Sequence, residues 1–527
     1  MVVSTSTDAG RPETAAPTPP AIQLNGISKA FGPVQANKNI SMTVAKGSIH
    51  GIVGENGAGK STLMSILYGF YKADAGEVFI NGNKVNITDS HAAIAAGIGM
   101  VHQHFMLVEP FTVLENVVMG AEDGRLLKPS LNKARATLKQ LAEDYELDVD
   151  PDAIVGELSV GFQQRVEILK ALYRQADILI LDEPTGVLTP AEADHLFRIL
   201  RNLKAQGKTI ILITHKLREI MDATDSVSVM RRGQMTETIA TNTTSPEDLA
   251  EKMVGRRVLL EVTKTPANPG DVVLEISGLN VVDSQGVKKL KDINLTLRAG
   301  EILGVAGVAG NGQSELLEVL GGIRAATSGV VKMLGEAIDT SPKANAGKRR
   351  ARGIGHIPED RHRRGLVMNF MAWENAALGY HNKPEFKGRF GLHNQRAMRE
   401  DARGKIERFD IRPPNENLKA SNFSGGNQQK IVVAREIEAN PDVLLIGQPT
   451  RGVDIGAIEF IHQQIIHLRD AGKAILLVSV ELDEIQSLSD RIVVMFDGVI
   501  QGERLPENTD ERELGLMMAG AIKETAP

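Results

Sequence analysis

Four stretches of this sequence occur twice, and that self-similarity restricts the fold to two copies of one large unit. GSIHGIVGENGAGKSTLMSILYG (47–69) returns as GEILGVAGVAGNGQSELLEVLGG (300–322). LSVGFQQRVEILKAL (158–172) returns as FSGGNQQKIVVAREI (423–437), and ADILILDEPTGVL (176–188) as PDVLLIGQPTRGV (441–453). GKTIILITHKLREI (207–220) returns as GKAILLVSVELDEI (472–485). Each copy is far too long for a solenoid repeat, so two homologous domains follow. A length of 527 residues agrees, being too great for one hydrophobic core.

Within each copy, short apolar runs alternate with amphipathic stretches, the pattern of α/β units around a mainly parallel sheet. Residues 49–53, 178–181 and 210–213 read as buried strands, as do their second-half counterparts. RRVLLEVTKTPANPG (256–270) ends in Pro, Asn and Gly and reads as a linker. The expected layout is a tail over 1–20, a first domain over 21–255, a linker over 256–271, a second domain over 272–522 and a tail over 523–527. The first twenty residues, rich in Ala, Pro, Thr and Ser without an apolar centre, read as a disordered tail and not as a signal peptide.

No apolar run approaches the roughly 18–20 residues that span a bilayer. The net charge of −6 argues against a nucleic-acid partner. With no cysteine, thiolate metal sites and disulfides are excluded.

Gly54, Glu55, Asn56, Gly57, Ala58, Gly59, Lys60, Ser61 and Thr62 satisfy the P-loop pattern, after a strand and before a helix. Glycines let backbone N–H groups close around phosphate oxygens, and the helix adds its positive dipole end. Lys60 is expected on the β- and γ-phosphates and Ser61 on Mg²⁺. ILILDEP (178–184) then places Asp182 and Glu183 at the carboxyl end of an apolar strand beside that loop. Asp182 would orient the metal, and Glu183 would polarise the attacking water as general base.

Together these motifs resemble the ATP-binding cassette (ABC) ATPases, and the resemblance covers nearly the whole chain after the tail. It implies two tandem cassettes, each with a mainly parallel sheet, an antiparallel β subdomain and a helical signature subdomain. It implies a signature over 158–164, a partner-contacting and metal-contacting glutamine at Gln103 and a catalytic histidine at His215. Phe31 in SKAFGP resembles the aromatic that stacks on adenine. His102 and His104 flank Gln103, but without cysteine or an acidic cluster they do not make a metal site.

The second copy departs from the pattern at its own site. Gln313 stands at the lysine position, Gly447 and Gln448 replace the two carboxylates, Val480 replaces the histidine and Glu359 the glutamine. Its signature, however, stays close to the family's form in Ser424, Gly425, Gly426, Asn427 and Gln428. The first copy has Val160 and Phe162 there, and Val160 is expected to restrict torsions and crowd a phosphate. In the family, cassettes pair head to tail and each ATP lies between one P-loop and the opposite signature. The resemblance therefore implies one competent composite site, Lys60 facing Ser424 to Gln428, and one degenerate site.

Two fused cassettes with QPTRGVD (448–454) resemble the subunits that power bacterial importers of monosaccharides and nucleosides. MVHQHFMLVEPFTVLENV (100–118) is more similar to the nucleoside branch. The resemblance implies two integral-membrane permease subunits, an extracytoplasmic solute-binding lipoprotein and a peripheral location on the cytoplasmic face of the membrane. The segments after Gln103 and Glu359 would dock the permease. Alternatives are an importer ATPase for ribose or galactose, an ABC protein acting on ribosomes or nucleic acid, and an exporter ATPase or ATP-binding regulator. The short linker and damaged second site argue against the nucleic-acid role, and Glu183 with His215 against binding without turnover.

Overall fold

The computed structural model describes residues 19–32, 34–102, 105–121, 127–185, 188, 190–257, 262–308, 310–388, 392–453 and 455–522. Gln103, His104, most of the amino-terminal tail, residues 258–261 of the expected linker and the tail 523–527 lie outside them.

Among the described residues each half contains one six-stranded and one four-stranded sheet. In the first half the larger sheet runs Gln234–Ala240, Ser226–Arg231, Ile49–Gly54, Thr209–Ile213, Ile178–Asp182, Ile98–Val101. Its neighbours are parallel except the edge hairpin of Ser226–Arg231 and Gln234–Ala240. The second half repeats that order as Val499–Arg504, Arg491–Phe496, Ile302–Ala306, Ala474–Ser479, Val443–Gly447, Ile354–Ile357. The smaller sheets, which contain Ile22–Phe31 and Val34–Val44 in one half and Val272–Val282 and Lys288–Arg298 in the other, are antiparallel.

The unbroken apolar runs of the central strands follow from burial on both faces. Ile178, Ile180, Ile211 and Ile213 join a core with Leu63 and Leu67 and with Ile22 and Leu24 of the antiparallel sheet. Leu179, Leu181, Ile210 and Leu212 point the other way, onto Leu169, Leu172, Leu200 and Leu203. Successive side chains in a strand alternate faces, so one run feeds two cores. Each such side chain contributes about 1.5–3 kcal/mol of burial. A helical layer packs against one face of the larger sheet in each half, with Val113–Val118, Leu127–Asp144 and Val160–Tyr173 in the first and Ala372–Ala377, Gln395–Arg408 and Gly425–Ile437 in the second.

The halves meet through equivalent surfaces. Helix Glu511–Met518 packs on Pro190–Ala205, and its counterpart Pro246–Val254 packs on Ile455–Asp470. Ile455 enters an apolar cluster with Leu217, Ile220, Leu249 and Met253 of the first half. Lys216, which follows His215, pairs at 2.8 Å with Glu481, which follows Val480. Reciprocal helix contacts, with corresponding residues touching each other, describe a pseudo-twofold axis passing beside these two strand ends. Arg218 with Glu511, and Arg256 with Glu459 at 2.9 Å, add ion pairs across the boundary. Carboxyl to the undescribed linker residues, Lys264 donates to Leu488 O at 3.0 Å and Arg469 to Thr265 O at 2.9 Å, holding that segment to the second half.

Candidate nucleotide site

Strand Ile49–Gly54 enters a turn that leads into helix Lys60–Leu67. Gly59 caps that helix at φ 101°, and a Cβ there would lie 2.2 Å from Ala36 O. Both the left-handed torsion and the close approach require glycine. The buried Asn37 donates from Nδ2 to Gly59 O at 3.0 Å, tying strand Val34–Val44 to the loop. The adjoining strand Ile22–Phe31 ends in Phe31, which is 42% exposed, with Tyr71 edge-on to it at 5.1 Å. Lys29 Nζ lies over the Phe31 ring at 5.5 Å, and the exposed part of Phe31 can meet a flat ring. Tyr71 was not legible in sequence, because nothing local marks it as Phe31's neighbour.

Lys60 is buried, and its Nζ donates to Gly54 O at 2.6 Å and Glu55 O at 3.2 Å. Burial lowers its pKa against the opposing pull of Glu183, Asp182 and Glu55. Asp182 ends its strand with its carboxyl hydrogen-bonded by Ser61. Burial, then the neighbouring Glu183, raise the Asp182 pKa.

Glu183 sits at φ 47°, a left-handed torsion that costs a non-glycine residue energy. Its N–H is bound to Ile213 O at 2.8 Å, which holds the kink. The kink aims the side chain at His215, whose Nδ1 is 2.9 Å from Glu183 Oε1. An ionised carboxylate only accepts, so the ring N–H donates. Burial alone would raise the Glu183 pKa, but the His215 hydrogen bond and the charges of His215, Lys60 and Lys216 outweigh it and hold the carboxyl below its usual range. Adjacent carboxyls are thus driven in opposite directions, and the ionised one is oriented by a histidine beside a lysine. That arrangement suits proton acceptance next to a phosphate group.

The second half keeps the backbone and changes the chemistry. Gln448 repeats φ 47° and the strand bond, its N–H reaching Val478 O at 2.8 Å. Its Oε1 accepts from the Val480 N–H at 3.4 Å where Glu183 meets an imidazole. Gln313 folds onto Val308 O at 3.2 Å. A Cβ on Gly447 would stand 2.5 Å from Glu359 Cγ, so Glu359 fills the space of the missing aspartate. Its Oε2 accepts from Ser314 Oγ at 2.5 Å. Read from sequence, Glu359 is only a lost glutamine; its occupation of the vacant carboxylate position needs the tertiary structure.

Signature helices Val160–Tyr173 and Gly425–Ile437 begin alike. Ser159 caps the first at φ −62°, ψ 158°, and Ser424 the second at φ −64°, ψ 160°. The expected torsional restriction by Val160 is therefore corrected: Val160 and Gly425 each open their helix, and the glycine is not in the left-handed region that a valine would resist. The difference lies in the space beside it. A Cβ on Gly425 would meet Arg361 Nη2 at 2.7 Å, whereas Val160 and Phe162 are exposed side chains. Asn427 donates from Nδ2 to Ser424 Oγ at 2.9 Å. Gln428 is buried, its Nε2 donating to Ala420 O and Phe423 O at 3.1 and 3.0 Å and its Oε1 2.8 Å from His362 Nε2. Its side chain braces the turn from inside, unlike the outward ligand contact expected of it.

Strand order and central loop define a P-loop nucleoside triphosphatase domain, present twice in one chain. The profile of the ABC transporter family matches residues 37–186 and 290–451. The chain belongs to that family, as an ATP-binding, ATP-hydrolysing protein of two fused cassettes. Nucleoside import ATP-binding protein NupA of Lactococcus lactis is 49% identical over 95% of this chain and 98% of its own length. Guanosine import ATP-binding protein NupO of Bacillus subtilis is 48% identical over 96% and 98%. Glucose import ATP-binding protein TsgD13 of Haloferax volcanii is 43% identical over 96% and 97%.

Proposed function

We propose that this chain hydrolyses ATP to drive nucleoside uptake through two separate permease subunits fed by an extracytoplasmic solute-binding lipoprotein. The observation that carries the solute class is the near-half identity, over almost the full chain, to proteins named for nucleoside and guanosine import. Glucose import by the protein named for it at 43% identity supports a hexose as the second reading. The chain would sit on the cytoplasmic face of the membrane, held by its permease. Among the described residues no helix is long and apolar enough to cross a membrane. Exposed Met106 and Phe111 after Gln103, and exposed Val367 and Phe370 after Glu359, support docking of the permease on those segments. The domains are taken as 21–255 and 272–522.

At the first P-loop, the backbone from Gly54 to Thr62 and Lys60 hold the phosphates, and Phe31 stacks on the base. Glu183, oriented by His215, takes the proton of the attacking water. Ser61 and Asp182, already hydrogen-bonded to each other, fit Mg²⁺, with Gln103 as a further ligand. The ion would neutralise charge developing on the phosphates. In a head-to-tail arrangement Ser424, Gly425, Gly426 and Asn427 would lie over the γ-phosphate of that same ATP. Its support is the pseudo-twofold relation of the halves, under which the Gln313 loop correspondingly faces Ser159.

Deleting the gene in its host should abolish uptake of labelled uridine and leave ribose and glucose uptake intact. A defect confined to a sugar would overturn the nucleoside assignment. In the purified complex, Gln313→Ala and Gln448→Ala should each leave ATP turnover within about threefold, since neither side chain supplies a cation or a base. A loss comparable to that of Lys60→Ala would show that the second P-loop takes part in the chemistry.

A further inference from the structure

Arg361 lies two residues after Glu359, on the turn Arg361–Gly365 that leads out of strand Ile354–Ile357. It is half-buried, and its Nη1 donates to Arg451 O at 2.8 Å. Among the described residues its buried Nε has no hydrogen-bond partner, and the carboxylate that acts on it is that of the adjacent Asp360. Its Nη2 stands 2.7 Å from the point a Cβ on Gly425 would occupy. A side chain at 425 would displace it. The glycine that opens the second signature helix therefore serves as clearance for a guanidinium at that helix's amino terminus.

The first half gives the comparison within one molecule. Val160 replaces the glycine, and Phe105 occupies the sequence position of Arg361. Glycine and arginine are lost together. At the next signature residue the charge is reversed: Glu192 Oε1 lies 2.7 Å from where a Cβ on Gly161 would stand, and the corresponding second-half residue is Ala457. The second signature thus has the Arg361 guanidinium at its opening glycine, whereas the first has the Glu192 carboxylate with Arg165 beside it. A polyanion meets a guanidinium directly at the second turn and a carboxylate and guanidinium together at the first.

We propose that Arg361 is a γ-phosphate contact supplied in trans, reaching past Gly425 onto the ATP held by the Lys60 loop. This deepens the reading above and rests on its head-to-tail pairing. A guanidinium held by the Arg451 carbonyl through Nη1, with Nε buried, keeps Nη2 for phosphate oxygens. Because the contact is to the terminal phosphate alone, it separates ATP from ADP. Hydrolysis removes the group that Arg361 holds, so the same residue couples product formation to release of the two halves.

The test uses the full chain. In a Glu183→Gln background, titrating ATP and ADP by calorimetry, Arg361→Ala should weaken ATP about tenfold or more and leave ADP unchanged. With Glu183 intact, Arg361→Ala should lower turnover at saturating ATP by about a hundredfold, and Arg361→Lys should recover part of it. Unchanged ADP affinity shows that the variant is folded. Equal losses for ATP and ADP would overturn the assignment, because a structural defect does not read the γ-phosphate. Parental turnover in Arg361→Ala alongside loss in Ser424→Arg would overturn Arg361's part and leave the pairing standing. Parental turnover in Ser424→Arg would overturn the pairing, and the Arg361 contact with it.

Discussion

Glu183→Gln should abolish ATP turnover while ATP binding persists, and Lys60→Ala should abolish turnover and weaken ATP binding. The first removes only the proton acceptor. Its backbone is safe, because Gln448 already holds glutamine at φ 47° with the same strand hydrogen bond in the second half. The loss is therefore chemical and not a folding artefact. Lys60 is the buried ammonium on the loop, donating to Gly54 O and Glu55 O, and alanine removes that charge from the loop. Interactions made chiefly in the transition state are worth several kcal/mol, roughly a hundredfold or more in rate. Steady-state phosphate release, with nucleotide binding measured in parallel, checks both. Substantial turnover left in Glu183→Gln would mean that another group activates the water.

The second large effect comes from the half without its own carboxylates. Ser424→Arg should stop turnover as completely as Lys60→Ala, and Ser159→Arg should be mild. Neither serine side chain caps a backbone N–H of its helix, and Ser424 loses only its bond from the Asn427 side chain, so replacing either costs the fold little. What an arginine does at 424 is fill the space beside Gly425, Asn427 and Arg361, where the proposed pairing would seat phosphate. At 159 it joins a surface that already presents Val160 and Phe162, the latter under the Arg165 guanidinium at 4.5 Å. ATPase and uptake in reconstituted complexes carrying each change singly decide this. Equal losses at the two serines would show that the sites are not divided between the halves.

The sheets were legible because their signal is local. Runs such as 178–181 fill both faces of a parallel strand, and the turns that bound them hold them to strand length. The P-loop was legible because its glycines, lysine and serine are contiguous, and the family match confirms the cassette. The remainder depends on residues far apart in sequence. Arg361 beside Gly425, Glu359 in the space left at Gly447, and Tyr71 against Phe31 are tertiary neighbours that no spacing rule brings together. Val160 misled for a related reason. A substitution at a glycine suggests a torsional demand, yet here the demand is for room, and only the structure shows what occupies it.

The ion pair on the pseudo-twofold axis has a consequence for how such a chain recognises its own halves. On a true twofold axis a residue meets its own copy, so a lysine there would face a lysine and a glutamate a glutamate. Lys216 opposite Glu481 is satisfied only when unlike halves meet. Both side chains are partly exposed, so the pair itself contributes no more than about 1 kcal/mol of stability. Its weight lies in mispairing: two first halves from neighbouring chains would confront two ammonium groups, and two second halves two carboxylates. Charge at that one point thus works as a mating key, biasing every cassette toward a partner of the other kind, the partner to which it is already tethered.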